Sequence, residues 1–409
     1  MWDELRDYKI IEGDCIQKMR EMQDCSIDAI VTDPPYGIGF MGKSWDCSVP
    51  GLEWAQECLR VLKPGGHMIA FSSTRTCHRL GVAIEDAGFE IRDTIHWVYT
   101  SGFPKNHDIS KAIDREAGTE REVIGYDEEG AKRLGKIPSV GAVPFSQKEN
   151  MKKKLIESGF EGIPITAPAT EEAQEWDGYG TALKPSVEPA ILARKPLEAG
   201  LTIAQNVLKY GTGAINIDAC RYAYGDPCWV GNTDYESAIG GKTIRAKRKP
   251  FDSINDAHKT LIERPKPNAL GRWPANLYHC PKPSRGEREA GLEHLKTRPA
   301  HSNMNTHNGT GERFDGGETP EVANFHPTVK PIKLMRWLCR LIGGKKGSVI
   351  MDTFCGSGTT GCAAILEGYE FVGIEITPDY LPIIRGRLDW AQEEYMRENA
   401  QLSLFEDAI

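Results

Sequence analysis

Apolar runs and amphipathic stretches alternate along the first hundred residues. YKIIEGD (8–14) is an apolar run closing on Gly-Asp, CIQKMREM follows with helical spacing, and SIDAIVTD reads as the next strand. GLEWAQECLRVLK (51–63) is an amphipathic helix with a natural stop at PGG. GGHMIAFSS is a buried strand, TRTCHRLGVAIEDAGF a helix and EIRDTIHWVYTSG another strand. Strands separated by helices predict a parallel sheet covered on both faces. The rhythm returns at the far end, where GSVIMDTFCGSGTTGCAAILEGYEFVGIEI (347–376) reads strand, glycine turn, helix, strand, and TPDYLPIIRGRLDWAQEEYMREN makes a final helix.

The middle of the chain breaks this pattern. Residues 104–185 are charged and proline-punctuated, with KENMKKKLIE as a solvated helix. KPSVEPAILARKPLE (184–198) reads as one more sheet strand, and residues 220–320 are rich in Gly, Pro, Asn and basic residues with little periodicity. The two ends are expected to form a single α/β sheet with the middle inserted. Such a permuted order is tolerated because the termini of a domain commonly lie close together.

Composition narrows the class. At 409 residues the chain exceeds one ordinary core, and 40% hydrophobic with 26% charged residues is the balance of a soluble globular protein. The formal net charge of −8 argues weakly against nucleic acid as a partner but does not exclude it, because a local basic face can carry that job. Eleven cysteines show no CxxC pair and no Cys/His grouping at zinc spacing. With no secretory leader at MWDELRDYKI and no apolar run of membrane-spanning length, they read as reduced thiols in a cytoplasm.

Two segments carry chemistry. DPPYG (33–37) leaves the apolar run IDAIV after Thr32, and its prolines can continue neither a ladder nor a helix interior. The segment is a rigid exit that presents Asp33 and Tyr36 beyond the sheet edge. VIMDTFCGSGTTG places Gly356, Gly358 and Gly361 after a strand and at the start of a helix, where bare backbone and free amides admit a ligand. No Lys follows Gly361 as a P-loop needs. The GxGxxG spacing, with Glu375 ending the next strand, suits an adenosine ribose and leaves NAD and other adenosyl ligands open.

Taken together, DPPYG near one end and DTFCGSGTTG near the other resemble the amino-DNA methyltransferases that use S-adenosylmethionine, in the motif order of the β class. The resemblance covers roughly 1–103 and 320–395 and adds the strand at 184–198. HPTVKP (326–331), FMGKSWD, GYGTALKPSVEPAILARKP and GRWPANLYH are similar to further family segments, with orphan and prophage-borne members the most alike. One departure is Thr353, where the family commonly has proline.

The resemblance implies a Rossmann-like methyltransferase fold with a mostly parallel sheet and a target-recognition insertion. It divides the chain into a catalytic half (1–103), an insertion (104–183), a return strand (184–205), a target-recognition region (206–320) and a cofactor half (321–409). It implies that Asp352, Phe354, Gly356, Ser357, Gly358, Thr359 and Thr360 cradle the methionine half of the cofactor. Glu375 would take the ribose hydroxyls, Asp14 the adenine amino group, and Thr328 and Lys330 the carboxylate. Asp14 also reads as a simple helix cap.

Asp33 and the Pro34 carbonyl, stiffened by Pro35, can accept from the two hydrogens of an exocyclic amine and free its lone pair, while Tyr36 offers a stacking face to an extruded base. No metal or covalent nucleophile is needed. The acid at position 33 favours adenine N6 over cytosine N4, where family members more often carry serine. Duplex DNA is the expected partner. Lys242, Arg245, Lys247, Arg248 and Lys249 of KTIRAKRKP, with Arg264, Lys266 and Arg272, suit phosphate contact, and Lys43 could lie beside the extruded base. The resemblance further implies a homodimer in a bacterial or phage setting, near the nucleoid when acting. Competing readings are an N4-cytosine DNA methyltransferase first, then an RNA methylase, a DNA-binding regulator with an inactive fold, and an NAD oxidoreductase.

Overall fold

The structure, a computed structural model, describes residues 7–39, 44–102, 106–127, 163–223, 226, 228, 243–246, 259–262, 271–299 and 321–406. They fall into two compact units, one of residues 1–101, 186–298 and 322–409, the other of residues 102–185 and 299–321. The helix expected over KENMKKKLIE lies outside the described residues.

The larger unit is built on eight strands: β1 (Tyr8–Glu12), β2 (Ile27–Thr32), β3 (Leu62–Phe71), β4 (Glu90–Val98), β5 (Val187–Arg194), β6 (Leu277–His279), β7 (Val349–Asp352) and β8 (Glu370–Glu375). Their order is β1-β8-β7-β2-β3-β5-β4-β6. All neighbours are parallel except at β5, which runs antiparallel to both β3 and β4. The two chain ends therefore meet at the centre of the sheet, with Ile350 of β7 opposite Ala29 of β2 and Met351 opposite Ile30.

Alternation along these strands feeds two cores, as the period-2 geometry of a strand requires. Ile30, Met68 and Met351 face Met19, Trp54, Leu80 and Ile84 from helices α1 (Cys15–Arg20), α2 (Leu52–Val61) and α3 (Cys77–Asp86). Ala29, Val31, Ile69 and Ile350 face the other layer. Helix α4 (Ile203–Tyr210) lies between β5 and β6 in chain order. That other layer holds α5 (Ile332–Ile342), α6 (Thr359–Leu366) and α7 (Leu381–Glu406), which contribute Leu334, Leu338, Ala363 and Ile384.

Two local details differ from the sequence pattern. Helix α2 ends at Val61, and the chain enters β3 directly instead of stopping at PGG. Leu62 pairs with Ile27 and His67 with Ala29, so Pro64-Gly65-Gly66 forms a bulge in which proline need not donate. Gly65 takes φ +79 there, and a Cβ would sit 2.5 Å from the Asn206 amide nitrogen. The second detail is β6, a parallel edge strand inside a stretch without periodicity; three residues are too few to show a period.

In the smaller unit, Asp114 organises the chain. It is 1% exposed, pairs with Arg121 at 3.0 Å, and accepts from the Ala169 and Thr170 amides and the Thr170 hydroxyl.

Candidate active site

Strand β2 ends at Thr32, and DPPYG turns away at the carboxyl edge of the sheet, where ligands of open α/β sheets bind. The turn is held from below by Asp46, which is buried and accepts from the amides of Tyr36 (2.6 Å), Gly37 (2.9 Å) and Ile38 (3.3 Å). Three amides on one carboxylate make a stiff anchor. Within the turn, Asp33 Oδ2 lies 2.5 Å from Lys330 Nζ, and Asp33 Oδ1 accepts from the Tyr36 hydroxyl at 2.9 Å.

Glu188, from β5, completes this corner. Its Oε2 is 3.0 Å from the Tyr36 hydroxyl and 3.3 Å from Lys330 Nζ. The ammonium rests over the ring of Phe71, 4.8 Å from its centroid. Burial on its own would lower the Lys330 pKa, but Asp33 and Glu188 together outweigh it and hold the group above its ordinary value. Burial, then the same two carboxylates, push the Tyr36 hydroxyl well up, so it stays a donor. Burial is also the largest influence on Asp33 and raises its carboxyl above the ordinary value, with Lys330 opposing, so the corner groups two carboxyl side chains around one ammonium.

The second half of the site follows β7. Asp352 Oδ1 accepts from the Thr32 hydroxyl (2.7 Å) and the Phe354 amide (3.0 Å), and its Oδ2 from the Thr360 hydroxyl (2.6 Å). Burial pushes this carboxyl up to about 6 against those donors. Thr353, the departure from the family's proline, accepts from Trp54 Nε1 at 3.1 Å and lies 3.2 Å from the Thr32 hydroxyl. Gly356 and Gly358 take φ +56 and +75, conformations that favour glycine. Glu375 accepts from the Gly356 amide at 2.7 Å and the Thr377 amide at 2.8 Å, and burial raises its pKa. Asp14 caps α1 by accepting from the Gln17 amide at 3.0 Å.

These pieces wall one cavity. It is lined by Asp33 and Pro35 of the DPPYG turn, Thr328 and Lys330, and Asp14 and Glu375. Asp352, Phe354, Gly356, Ser357, Thr359 and Thr360 form the rest of the expected set on its wall, while Pro34, Tyr36 and Gly358 do not line it. The ammonium of Lys330 is engaged by Asp33 and Glu188, an employment different from holding a ligand carboxylate. Of the basic residues, Lys43, Lys242, Lys247, Arg248, Lys249, Arg264 and Lys266 lie outside the described residues. So does the side chain of Arg245, which belongs to a small ladder of Thr243–Ala246 with Lys259–Ile262. Arg272 exchanges two backbone hydrogen bonds with Tyr222, beside the exposed Trp273.

Sequence reasoning missed four members of this site. Asp46 and Trp45 sat in FMGKSWD without an assigned role, and an acid in the otherwise apolar VEPAILA was the available sign of Glu188. His326, on the cavity wall, is the fourth; its Nδ1 lies 2.8 Å from the Thr328 carbonyl, which can only accept, so Nδ1 carries the proton and Nε2 is an acceptor. Burial lowers its pKa to about 3, which keeps the ring neutral.

A mostly parallel, doubly covered sheet with this cleft at its carboxyl edge is a Rossmann-like architecture. The N6/N4 methyltransferase family model, described as DNA methylase, matches residues 27–386, and the chain belongs to that family. Among curated relatives, it is 31% identical over 119 residues to the type II methyltransferase M.HpaI of Haemophilus parainfluenzae, covering 26% of this chain and 37% of that protein. It is 39% identical over 77 residues to the DNA adenine methyltransferase YhdJ of Escherichia coli strain K12, covering 19% and 26%. The matched stretches thus span about a third of the length of these relatives. Similar solved structures include a complex of M1.HpyAVI with SAM (17% identity, TM-score 0.39, 93% of this chain and 98% of that one). The cytosine-N4-specific PvuII DNA methyltransferase is another (12%, TM-score 0.42, 97% and 96%). Among the described residues no helix is long and apolar enough to cross a membrane.

Proposed function

We propose that this chain methylates the exocyclic N6 of adenine in duplex DNA, with S-adenosylmethionine as donor, after the base leaves the helix. The observation that carries the reading is the shared cavity, which has the amine-gripping Asp33 on the same wall as the glycine turn that follows β7. The residues present fit the donor. Gly356 offers bare backbone, a Cβ there would lie 2.9 Å from His326 Nε2, and Asp14 and Glu375 supply acceptors for an adenosine. When bound, S-adenosylmethionine supplies a methyl group on a sulfonium, already a strong electrophile.

What the chain must do is orient the amine and manage its charge. Asp33 accepts from one amine hydrogen once Lys330 yields Oδ2, and Glu188, 3.3 Å away, retains the ammonium. As the nitrogen gains positive charge, the corner's excess of one carboxylate over Lys330 stabilises it, and Asp33 receives the proton the nitrogen sheds. The aspartate at position 33, not serine, supports adenine as target. On the same reading, residues 104–183 and 206–320 engage the DNA, and the chain acts as a homodimer, which sedimentation of the pure protein tests.

Incubating duplex DNA with methyl-labelled donor and digesting it to nucleosides tests the proposal. N6-methyladenine is the expected product. Label confined to N4-methylcytosine would move the target to cytosine, label in RNA alone would change the substrate class, and no transfer would overturn the reading.

A further inference from the structure

Arg387, on α7, is fully buried, and among the described residues no carboxylate lies within ion-pair reach of it. A guanidinium taken out of water requires an opposite charge or a full set of acceptors. It has neither. Nη1 donates to the Ser357 carbonyl (2.7 Å), the Ser357 hydroxyl (3.1 Å) and the Thr359 hydroxyl (2.9 Å). Nη2 reaches only the Glu287 carbonyl, at 3.4 Å, and Nε has no partner.

The cavity next to these hydroxyls is rich in acids. Asp14, Asp33, Asp352 and Glu375 all line it, and the positive charge of Lys330 is held by Asp33 at 2.5 Å and Glu188 at 3.3 Å. His326 presents an acceptor nitrogen. An amino-acid carboxylate entering this cavity therefore meets repulsion from these four side chains. The Ser357–Thr359 stretch is different.

We infer that Arg387 is a positioning residue for the carboxylate of the methyl donor, acting through the hydroxyls of Ser357 and Thr359. The inference rests on the methyl-donor reading above and relocates the carboxylate from Thr328 and Lys330. A guanidinium only donates, so both hydroxyls spend an acceptor site on it. They lie 3.3 Å apart, so at most one of their protons is shared between them. At least one O–H is left to donate into the cavity that both residues line. The free amides at the start of α6, capped by Gly358, add potential of the same sign, and the buried charge behind them is weakly screened. The ligand's carboxylate in turn is the counter-charge that Arg387 lacks.

The test is binding, without DNA, of S-adenosylmethionine and of its decarboxylated form, which keeps the sulfonium and the amine. Titration calorimetry on the wild-type chain is expected to favour the carboxylated ligand at least tenfold. R387M, shown to be folded by its melting transition, is expected to close that gap to within about twofold while binding the decarboxylated form as the wild type does. The S357A/T359V double variant leaves Arg387 in place and is expected to show the same selective loss, which covers the case of an R387M that does not fold. Equal affinity of wild type for the two ligands, or an R387M that keeps the full discrimination or weakens both ligands alike, would overturn the inference. Wild-type protein that binds neither ligand would instead remove the methyl-donor reading itself.

Discussion

Thr32 and Asp352, separated by 320 positions in sequence, share a buried hydrogen bond of 2.7 Å from the threonine hydroxyl to the aspartate Oδ1. One residue precedes the DPPYG turn and the other opens the glycine turn. Their bond is the point at which the two halves of the site are tied together. T32V removes the donor and leaves a buried acceptor short of a partner, at a cost of roughly 1–2 kcal/mol in urea unfolding. The loss has a pH sign. Asp352 titrates at about 6 in the folded protein against an ordinary 3.8, so its contribution is fully present below about 4 and falls away as pH rises through 6. T32V should raise that carboxyl further and hence cost more at pH 8 than at pH 5.

At the amine corner, D33A is expected to lower methyl transfer by roughly 10²–10⁴-fold, the range of a lost acid–base partner. E188Q takes away the excess negative charge while leaving the cavity wall intact, and should depress turnover with donor affinity unchanged. K330M leaves Asp33 and Glu188 facing each other without their shared cation. The Asp33 carboxyl then titrates higher, so the rising limb of the pH–rate profile moves to higher pH. A limb that stays in place or moves down would refute this account of Lys330.

The glycine turn makes two separable demands. A Cβ at Gly361 would lie 2.5 Å from Leu388 Cδ2 and 2.6 Å from Phe371 Cδ1, so G361A forces these side chains or α6 itself to shift. Destabilisation of roughly 1–3 kcal/mol by thermal melting is expected. G356A, at φ +56, meets His326 on the cavity wall and should weaken S-adenosylhomocysteine binding by more than it lowers the melting temperature.

Acid should destabilise the protein through His67 on β3, whose pKa burial lowers to about 4, with Arg194 adding to the shift. A depressed histidine favours its neutral form in the fold, so its contribution is present above 6.5 and is lost as pH falls through 4. The effect is at most about 3 kcal/mol. It runs against that of Asp352 over the same range and largely offsets it, so H67N should make stability rise relative to wild type as pH falls from 6.5 to 4.5, as followed by denaturant melts.

Period and punctuation were enough to place β1, β2, β7 and β8, to mark DPPYG as a stiff exit and to find the glycine turn, because these signals are local. The Pro64–Gly66 bulge escaped, since a bulge is a statement about the partner strand and not about the strand that carries it. Glu188 escaped because alternation along β5 says which face a residue takes but not what stands opposite.

By itself, then, the amino-acid order determined which segments become strands and helices and which residue types stand at the sheet edge, through short-range sterics and hydrophobic period. Only the tertiary structure decided that Lys330 belongs to Asp33 and Glu188, that Asp46 grips the DPPYG amides, and that Arg387 stands behind the glycine turn with no carboxylate partner among the described residues. Those pairings join residues from 8 to 297 positions apart. They follow from strand order and register, which long-range packing sets and no local pattern encodes.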